Sequence, residues 1–347
     1  MNVDPFSPPL VTEDLPGIGG RIKSEPEDFE VEEIASYEPS GEGSHLYLWV
    51  EKRDMSAEYF ARQIARRLDI KTMDIGTAGR KDRRAITRQW VSLPDTVEER
   101  LDDLNGEGMR ILKVSRHTNK LKTGHLQGNR FRILIRDVES VESLELIVTR
   151  IREQGLLNYY GAQRFGLDHE TGTVGLDLLR GEPLVDKRWK QQRKFVLSAG
   201  QSVLFNLYLG QRLKDGLTRT VLSGDVMGKW PRGGMFVAED VSTEQSRFDV
   251  RETVTLGPIF GRKTFQAHGV AAESEQTILD EAGIDREVFS KFGKMLMGTR
   301  RQNLIYVDDL SVEQVSEGVR CQFSLPSGSY ATILMRELMK AKSEEQE

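Results

Sequence analysis

Cysteine is almost absent from the 347-residue sequence, which contains Cys321 alone. One thiol can form neither an intrachain disulfide nor a cysteine-rich zinc site, so a disulfide-stabilised scaffold and a zinc ribbon are both excluded. The long uncharged run at residues 195–211 includes several polar side chains and is short for a membrane span. The first nine residues have no basic or apolar stretch, so we expect no secretory signal and a cytoplasmic protein that does not enter a membrane.

Several familiar catalytic patterns are missing as well. The sequence has no Gly-x-x-x-x-Gly-Lys-Ser/Thr phosphate loop, no spaced-glycine dinucleotide loop and no Gly-x-Ser-x-Gly elbow. The five histidines lack the spacing of a metal site. We therefore expect an enzyme of this sequence to use carboxylate and polar chemistry, with no metal and no small-molecule cofactor.

Charge is present in blocks that the net value of −5 conceals. Residues 110–136 contain eight lysines and arginines and no acid, and five cations occur in each of the stretches 80–88 and 186–194. Six acids are concentrated in residues 25–33. A charge run is often only a solvated face, but three basic blocks in an acidic protein predict a positive surface for a polyanion, with the acids kept elsewhere.

Hydrophobic periodicity indicates a sheet interrupted by a helical region. Ser56 is a plausible N-cap for a helix whose apolar face is Phe60, Ile64 and Leu68. Further helices are predicted at 141–154, closed by Gly155, and at 195–214 and 330–342. Alternating or β-rich runs predict strands at 45–50, 89–93, 111–115, 130–136, 303–307 and 319–325. The fold class is therefore α+β, with strand-rich flanks around a mainly helical middle from 156 to 300.

One carboxylate stands out for chemistry. Asp82 is the only acid among five cations between Arg80 and Arg88. Neighbouring positive charge lowers the pKa of a carboxyl group, so this side chain should persist as an anion. Such an anion suits nucleophilic or electrostatic work at an electron-poor carbon. The competing interpretation is a solvated turn in which Asp82 simply pairs with an arginine.

Five segments together resemble the signature sequences of the tRNA pseudouridine synthase D (TruD) family. In chain order they are Pro-Glu-Asp-Phe-Glu-Val-Glu-Glu at 26–33, Gly-x-Lys-Asp-x-x-Ala-x-Thr-x-Gln at 79–89, Lys-Leu-x-x-Gly-His-Leu-x-Gly-Asn-x-Phe at 120–131, Asn-Tyr-Tyr-Gly-Ala-Gln-Arg-Phe-Gly at 158–166 and Leu-Pro-Ser-Gly-Ser-Tyr-Ala-Thr at 325–332. The resemblance extends from residue 21 to about 340, although residues 167–300 match weakly.

This resemblance implies a fold and a reaction. The fold would be the pseudouridine synthase core, a mixed, largely antiparallel sheet with flanking helices. It would comprise residues 1–155 and 301–347, and residues 156–300 would form the TRUD insertion domain. The reaction would be isomerisation of a uridine in tRNA, in bacteria at position 13, to pseudouridine. By the same resemblance Asp82 is the catalytic aspartate, which either attacks the ribose C1′ or takes a proton from the ribose.

The resemblance also implies residues that bind the target base, which must be flipped out of the folded RNA. Phe131 resembles the aromatic ring that stacks on this base, although the residue taken alone would read as a core strand position. Asn129 resembles a polar contact to the substrate. Phe29 and Tyr330 match aromatic positions that line the site, and the family commonly has phenylalanine where this chain has Tyr330.

Four further residues lie in the matched segments. Lys23 and Lys81 match basic positions near the catalytic acid, with phosphate contact or plain surface charge as the alternative. Gln163 and Arg164 are expected to be structural, fixing their loop to the core. The partner implied is tRNA, and we expect a monomer. A non-catalytic RNA-binding protein remains an alternative, whereas an RNA methyltransferase would need a glycine-rich donor loop that the sequence lacks.

Overall fold

The structure, a computed structural model, describes residues 3–340. Its strands are β1 Gly19–Arg21, β2 Phe29–Ala35, β3 His45–Arg53, β4 Gly76–Thr77, β5 Ile86–Pro94, β6 Met109–His117, β7 Leu126–Val138, β8 Leu156–Leu157, β9 Val226–Lys229, β10 Met235–Val237, β11 Thr253–Ile259, β12 Thr299–Gln302, β13 Leu304–Ile305, β14 Ser311–Val315 and β15 Gly318–Pro326. Its helices are α1 Ala57–Leu68, α2 Leu144–Gln154, α3 Glu170–Arg180, α4 Lys187–Gln191, α5 Arg193–Lys214, α6 Val241–Asp249, α7 Gly269–Glu281, α8 Val288–Lys291 and α9 Ala331–Met339.

The main sheet has nine strands and joins the two ends of the chain. Seven of them follow the order β14-β15-β7-β2-β5-β3-β6, with β1 added beside β7 and β4 beside β5. Only β2 and β5 pair in parallel, while the other pairs of this sheet are antiparallel. The predicted α+β class with a mixed, largely antiparallel sheet is therefore confirmed.

The alternation of apolar and polar residues in β7 explains its place at the centre of the sheet. Phe131, Ile133 and Ile135 are buried, and β15 sets Phe323, Cys321 and Val319 directly opposite them. Matching apolar faces fix the register because a slip by one residue would turn both sets toward solvent.

Helix α1 forms as predicted, and it packs on β3. The Ser56 hydroxyl oxygen accepts a hydrogen bond from the Tyr59 amide at 3.2 Å, which caps the helix. Phe60, Ile64 and Leu68 are buried against Leu48 and Val50 of β3 in one apolar cluster. The capping residue and the apolar spacing thus predicted this helix correctly.

The outer face of the sheet carries both kinds of charge block. Arg132 and Glu30, on the adjacent strands β7 and β2, are 3.5 Å apart. Arg88 on β5 lies 3.2 Å from Glu30 and 2.8 Å from Glu51 on β3. Glu51 in turn lies 3.2 Å from Arg110 on β6. Arg130 pairs with Glu32 and Arg136 with Asp28. The expectation that acids lie apart from the basic blocks is wrong here, because β2 and β7 are neighbours.

The middle of the chain contains a sheet that periodicity did not predict. Helices α3 to α8 occupy most of it, but β10, β9, β11 and β12 form a second, four-stranded sheet. All seven residues of β11 are buried. Its polar-apolar alternation lasts only from Thr253 to Leu256, and Gly257 and Pro258 then interrupt the run, so the strand signal in the sequence is weak.

Two predicted elements near the end of the chain differ in detail. Of the strand expected at 303–307, only the two-residue β13 forms. β12 ends at Gln302, and at the next residue the Asn303 amide donates to the Thr255 carbonyl while the Asn303 carbonyl accepts from the Asn158 amide, so the pairing partner changes from β11 to β8. Helix α9 ends at Met339, where Lys340 adopts a left-handed conformation with φ 51°. The last two residues of the predicted helix, 341 and 342, lie outside the described residues.

The largest apolar cluster contains residues from both of the predicted domains. It includes Ile147 of α2 and Leu334 of α9, and also Phe205 of α5, all with no exposed surface. Within residues 3–340 no helix is both long and apolar enough to cross a membrane. The division into a domain of residues 1–155 and 301–347 and a second of residues 156–300 stays a prediction.

Candidate active site

A cavity of about 330 Å³ lies beside the middle of the main sheet. It is lined by segments from β2, the loop after β4, the loop before β7, β7 itself, the turn at Ala162–Arg164 and the residues before α9. Six of the seven site residues expected from the sequence line it: Phe29, Lys81, Asp82, Asn129, Phe131 and Tyr330. The seventh, Lys23, contacts Asp82 from beneath the lining.

Asp82 lies in the loop between β4 and β5, and its side chain is 25 % exposed to the cavity. Its Oδ1 accepts hydrogen bonds from Lys23 Nζ at 2.8 Å and from Gln163 Nε2 at 3.3 Å. Burial alone would raise the pKa of Asp82, but the Lys23 ammonium and these donors outweigh burial and hold the pKa below its usual 3.8. The carboxylate is therefore an anion at neutral pH.

The cations that hold Asp82 are not those that surround it in the sequence. Lys23 and Lys52 reach it from 59 and 30 residues away. Arg80 instead pairs with Glu58, and Arg88 belongs to the charge pairing of the outer face. The expected lowering of the pKa is present, but tertiary contacts produce it.

Lys23 is held in an unusual backbone conformation. Its φ of 58° lies in the left-handed region, which residues with a Cβ adopt rarely and at a cost. Its ammonium lies 4.2 Å from the centre of the Phe29 ring, a cation–π contact, while it donates to Asp82. The strained backbone, the ring and the carboxylate together fix the position of this ammonium.

Lys81 orients Asn129. The Lys81 ammonium is 3.1 Å from Glu33 Oε2 and donates to Asn129 Oδ1 at 2.5 Å. Lys81 and Asn129 line the cavity, and the Glu33 side chain is buried. Burial raises the pKa of Glu33 and lowers that of Lys81. Because an ammonium can only donate, it fixes the oxygen of the Asn129 amide toward itself. The amide NH₂ of Asn129 is then the group left to bind a carbonyl oxygen in the cavity.

Aromatic rings form one wall. Phe131 stacks on Phe323 of β15 at 5.3 Å and meets Phe29 edge-on at 6.1 Å. Only 5 % of Phe131 is exposed, so it serves the core and the cavity at once. Burial raises the pKa of Tyr330, and the phenol stays protonated as a hydrogen-bond donor at neutral pH.

Two contacts to Asp82 were not expected from the sequence. Lys52 is 1 % exposed, and its ammonium donates to the Asp82 backbone carbonyl at 2.9 Å and to the Met55 carbonyl at 2.5 Å. The alternation that buries Leu46, Leu48 and Val50 also places Lys52 on the buried face of β3, so a signal existed. Gln163, expected to be structural, donates to Asp82, and its sequence context gave no sign of that partner.

The loop of Gln163 is fixed from both sides. Arg164 donates to Ser202 and Ser198 of α5, which agrees with its expected structural role. A Cβ at Gly161 would lie 2.8 Å from Thr332 Oγ1 and 3.1 Å from the Tyr330 ring, so only glycine allows this close approach. These contacts hold the loop of Gln163 close to Tyr330, and both residues line the cavity.

The site combines an anion kept ionised, aromatic faces and an oriented amide donor in one small cavity. This arrangement defines a polar active site for a planar group that hydrogen-bonds through its edge, of which a nucleobase is the main example in proteins that act on RNA. The sequence model of the tRNA pseudouridine synthase D (TruD) family matches residues 9–184 and 188–338. The chain belongs to this family.

Relatives and a solved structure agree with the match. The tRNA pseudouridine synthase D of Anaeromyxobacter sp. (strain Fw109-5) is 40 % identical over 340 residues, which cover 97 % of both chains. A protein of the same name from Thermus thermophilus is 41 % identical over 342 residues, covering 96 % of this chain and 93 % of the other. The crystal structure of a candidate tRNA pseudouridine synthase D (TruD) from Methanosarcina mazei superposes with a TM-score of 0.78 at 25 % identity and 99 % coverage of each chain.

Proposed function

We propose that this protein isomerises a uridine of tRNA, at position 13, to pseudouridine, with Asp82 as the catalytic residue. The observation that carries the proposal is the Asp82 carboxylate, held ionised by Lys23 at 2.8 Å at the edge of an aromatic cavity. The name shared by its relatives supports the reaction and the tRNA substrate. We further propose a cytoplasmic monomer that needs no metal or cofactor, with residues 1–155 and 301–347 as catalytic domain and 156–300 as insertion domain.

The cavity supports binding of a flipped base. Its volume of about 330 Å³ falls at the small end of ligand pockets, which run from about 300 Å³ upward, and so suits one nucleoside. The Asn129 amide NH₂ would donate to a uracil carbonyl, because Lys81 occupies the amide oxygen. Phe131 would offer a ring face and Tyr330 a phenolic donor. A base held in this way is removed from its stack and cannot re-pair during the reaction.

The reaction changes one glycosidic bond. The bond from ribose C1′ to uracil N1 breaks, the freed uracil turns, and a bond from C1′ to C5 forms. C5 loses its proton and N1 gains one, so the product is an isomer of the substrate. Asp82 would act either as the nucleophile at C1′ or as the base that takes a ribose proton. Both routes need the ionised carboxylate that Lys23 and Gln163 hold in place.

The test is Asp82→Asn, which keeps the size of the side chain and removes the charge and the nucleophile. Single-turnover pseudouridine formation in unmodified tRNA should fall on the order of 10³-fold or more, since a positioned charge in a water-poor site is worth several kcal/mol. Binding of tRNA should stay equal or tighten, because an anion near phosphates is lost. Asp54→Asn, an exposed aspartate in the loop after β3, is the matched control and should keep normal turnover.

Either of two results would contradict the proposal. Near-normal pseudouridine formation by Asp82→Asn would remove the catalytic assignment. Lost tRNA binding with an intact fold would instead favour the alternative of a non-catalytic RNA-binding protein.

A further inference from the structure

A second pocket lies on the other side of the loop that borders the active-site cavity. It has a volume of about 530 Å³, and its lining includes Tyr37, His45, His117, Lys120, Lys122 and His125. We call it the histidine pocket. This loop lies between the two sites. Thr123 and Gly124 line the active-site cavity, and the neighbouring Lys122 and His125 line the histidine pocket. Neighbouring Cα atoms are only about 3.8 Å apart, so one nucleic-acid strand can reach both.

The histidine pocket is positive, and none of the described residues that line it is acidic. Neither Lys120 nor Lys122 has an ion pair with a carboxylate within residues 3–340, and Lys120 donates to the Met73 carbonyl. By contrast Arg130, Arg132 and Arg136, from the same basic block, are each paired with an acid of β2 or the turn before it. The basic block thus divides into a neutralised part and a part that keeps its charge for a ligand.

A chain of hydrogen bonds decides which nitrogen of His125 carries a proton. The Tyr47 hydroxyl donates to the Asn119 carbonyl at 2.8 Å. A hydroxyl has one hydrogen, so only one arrangement satisfies all three contacts of the two tyrosines. In it Tyr37 donates to Tyr47 at 3.3 Å, and Nδ1–H of His125 donates to the Tyr37 oxygen at 2.8 Å. In neutral His125 the other nitrogen, Nε2, therefore bears a lone pair.

His117 has the opposite arrangement. Its Nδ1 accepts from the Ser40 backbone amide at 3.2 Å, so the neutral ring carries its hydrogen on Nε2. Its ring stacks on Tyr37 at 5.0 Å, which joins it to the same network. A ligand made only of acceptor oxygens can thus bind neutral His117, but it can bind His125 through Nε2 only when that imidazole is doubly protonated.

We propose that the histidine pocket binds a phosphodiester of the tRNA strand next to the target uridine, with His125 taking up a proton when the phosphate binds. The proposal rests on the proposed function, because it takes the polyanion to be the substrate tRNA. Charge complementarity selects this occupant: phosphate oxygens only accept hydrogen bonds, and the lysines and a protonated imidazole only donate them. No group of His, Cys, Asp or Glu side chains in residues 3–340 is arranged to hold a metal ion.

The first experiment removes the lysine charges. Binding of unmodified tRNA is measured by fluorescence anisotropy between about 50 and 200 mM salt for wild type and for Lys120→Gln with Lys122→Gln. Losing two phosphate contacts should flatten the slope of log Kd against log salt by about 1.5 and weaken binding at low salt. The matched control is Lys291→Gln with Lys294→Gln, which removes the same charge from exposed positions in and after α8 and should keep the wild-type slope.

The second experiment isolates the proton. His45, His117, Lys120, Lys122, Tyr37 and Tyr47 surround His125, so only a comparison of variants assigns a pH effect to it. From about pH 8 to about pH 6, where histidines titrate, wild-type affinity should rise on the order of tenfold. His125→Gln should lose most of this rise, and His268→Gln, an exposed histidine before α7, should keep it. Tyr37→Phe frees Nδ1, so the neutral ring can carry its hydrogen on Nε2, and the rise should shrink as it does in His125→Gln.

The outcomes separate this proposal from the proposed function. If wild type forms pseudouridine while the lysine variant keeps the wild-type salt slope, or changes it no more than the control variant does, the histidine pocket does not bind a phosphodiester. If His125→Gln keeps the pH dependence, the proton uptake is wrong. If wild type forms no pseudouridine, the proposed function is wrong. The salt slopes of wild type and the lysine variant then still show whether the histidine pocket binds RNA phosphates.

Discussion

The Lys52 ammonium donates a hydrogen bond to the backbone carbonyl of Asp82, with 2.9 Å between Nζ and the oxygen. Asp82 is thus held by two cations, Lys23 at its carboxylate and Lys52 at its backbone. Among residues 3–340 the hydrogen-bond partners of the Lys52 ammonium are the Asp82 and Met55 carbonyls. Burial lowers the pKa of Lys52 to about 8, although Asp82 opposes the shift. A buried cation is the cost of fixing the loop that carries Asp82.

Lys52 should make stability rise with pH above neutrality. The folded protein releases this proton near pH 8, whereas the unfolded chain keeps it up to the ordinary value of 10.5, so the unfolded state binds more protons in this window. From about pH 7.5 to 9.5 the wild type should gain on the order of 2 kcal/mol relative to Lys52→Met. Urea unfolding of both proteins measures the difference. The exposed Lys71→Met should show no such change, and a constant difference for Lys52→Met would contradict the prediction.

Replacing Lys23 should raise the pH below which activity is lost, which is the acid limb of the pH–rate profile. Lys23→Met removes the ammonium that opposes the effect of burial on Asp82, so the pKa of Asp82 rises and its carboxylate protonates at higher pH. Single-turnover pseudouridine formation measured against pH should therefore fail at higher pH in Lys23→Met than in wild type. Lys23→Arg, which keeps the charge, should leave the limb near its wild-type position. An unmoved limb in Lys23→Met would mean that Lys23 does not set the ionisation of Asp82.

Phe131 and Phe323 form a matched pair for testing base stacking. The two rings stack on each other, but only Phe131 lines the cavity. Phe131→Leu and Phe323→Leu should each cost less than about 1.5 kcal/mol of stability, since both keep an apolar side chain of similar size. Only Phe131→Leu should lower turnover, by about 1–3 kcal/mol or roughly 5- to 150-fold, the worth of one stacked base. Equal turnover in the two variants at equal folded fraction would make Phe131 a core residue alone.

The paired arginines of β7 should matter little for RNA binding. Arg130 and Arg132 are bound to Glu32 and Glu30, so they do not present the free charge that their sequence block suggests. Arg130→Gln with Arg132→Gln should change the tRNA Kd by less than about threefold near physiological salt, where charges are screened beyond about 8 Å. Stability should fall by no more than about 1 kcal/mol per pair. The affinity is measured beside that of the Lys120 and Lys122 variant. A tenfold weaker affinity would mean that these arginines contact phosphates despite their ion pairs.

Local patterns in the sequence were sufficient to predict the helices and strands whose apolar residues recur at a regular spacing. The cap at Ser56, the apolar face of α1 and the alternation in β7 each depend on residues within one or two turns or strand repeats, and the structure confirms them. The buried strand β11 was missed because its alternation is short and is interrupted by Gly257 and Pro258. The strand predicted at 303–307 is reduced to β13, because the partners of Asn303, Thr255 and Asn158, belong to separate parts of the chain.

By itself, the sequence determined the fold class and the family resemblance, and through that resemblance six of the residues that line the cavity, since the matched segments are residue types at short, fixed spacings. The tertiary structure decided most of the charge partners. Asp82 is held by Lys23, which the resemblance implied, and by Lys52, which it did not, rather than by the arginines beside it, and the acidic block neutralises β7 rather than lying apart. The physical reason is that electrostatic attraction depends on distance in space and on burial, and strand pairing brings together charges that are tens of residues apart in the chain.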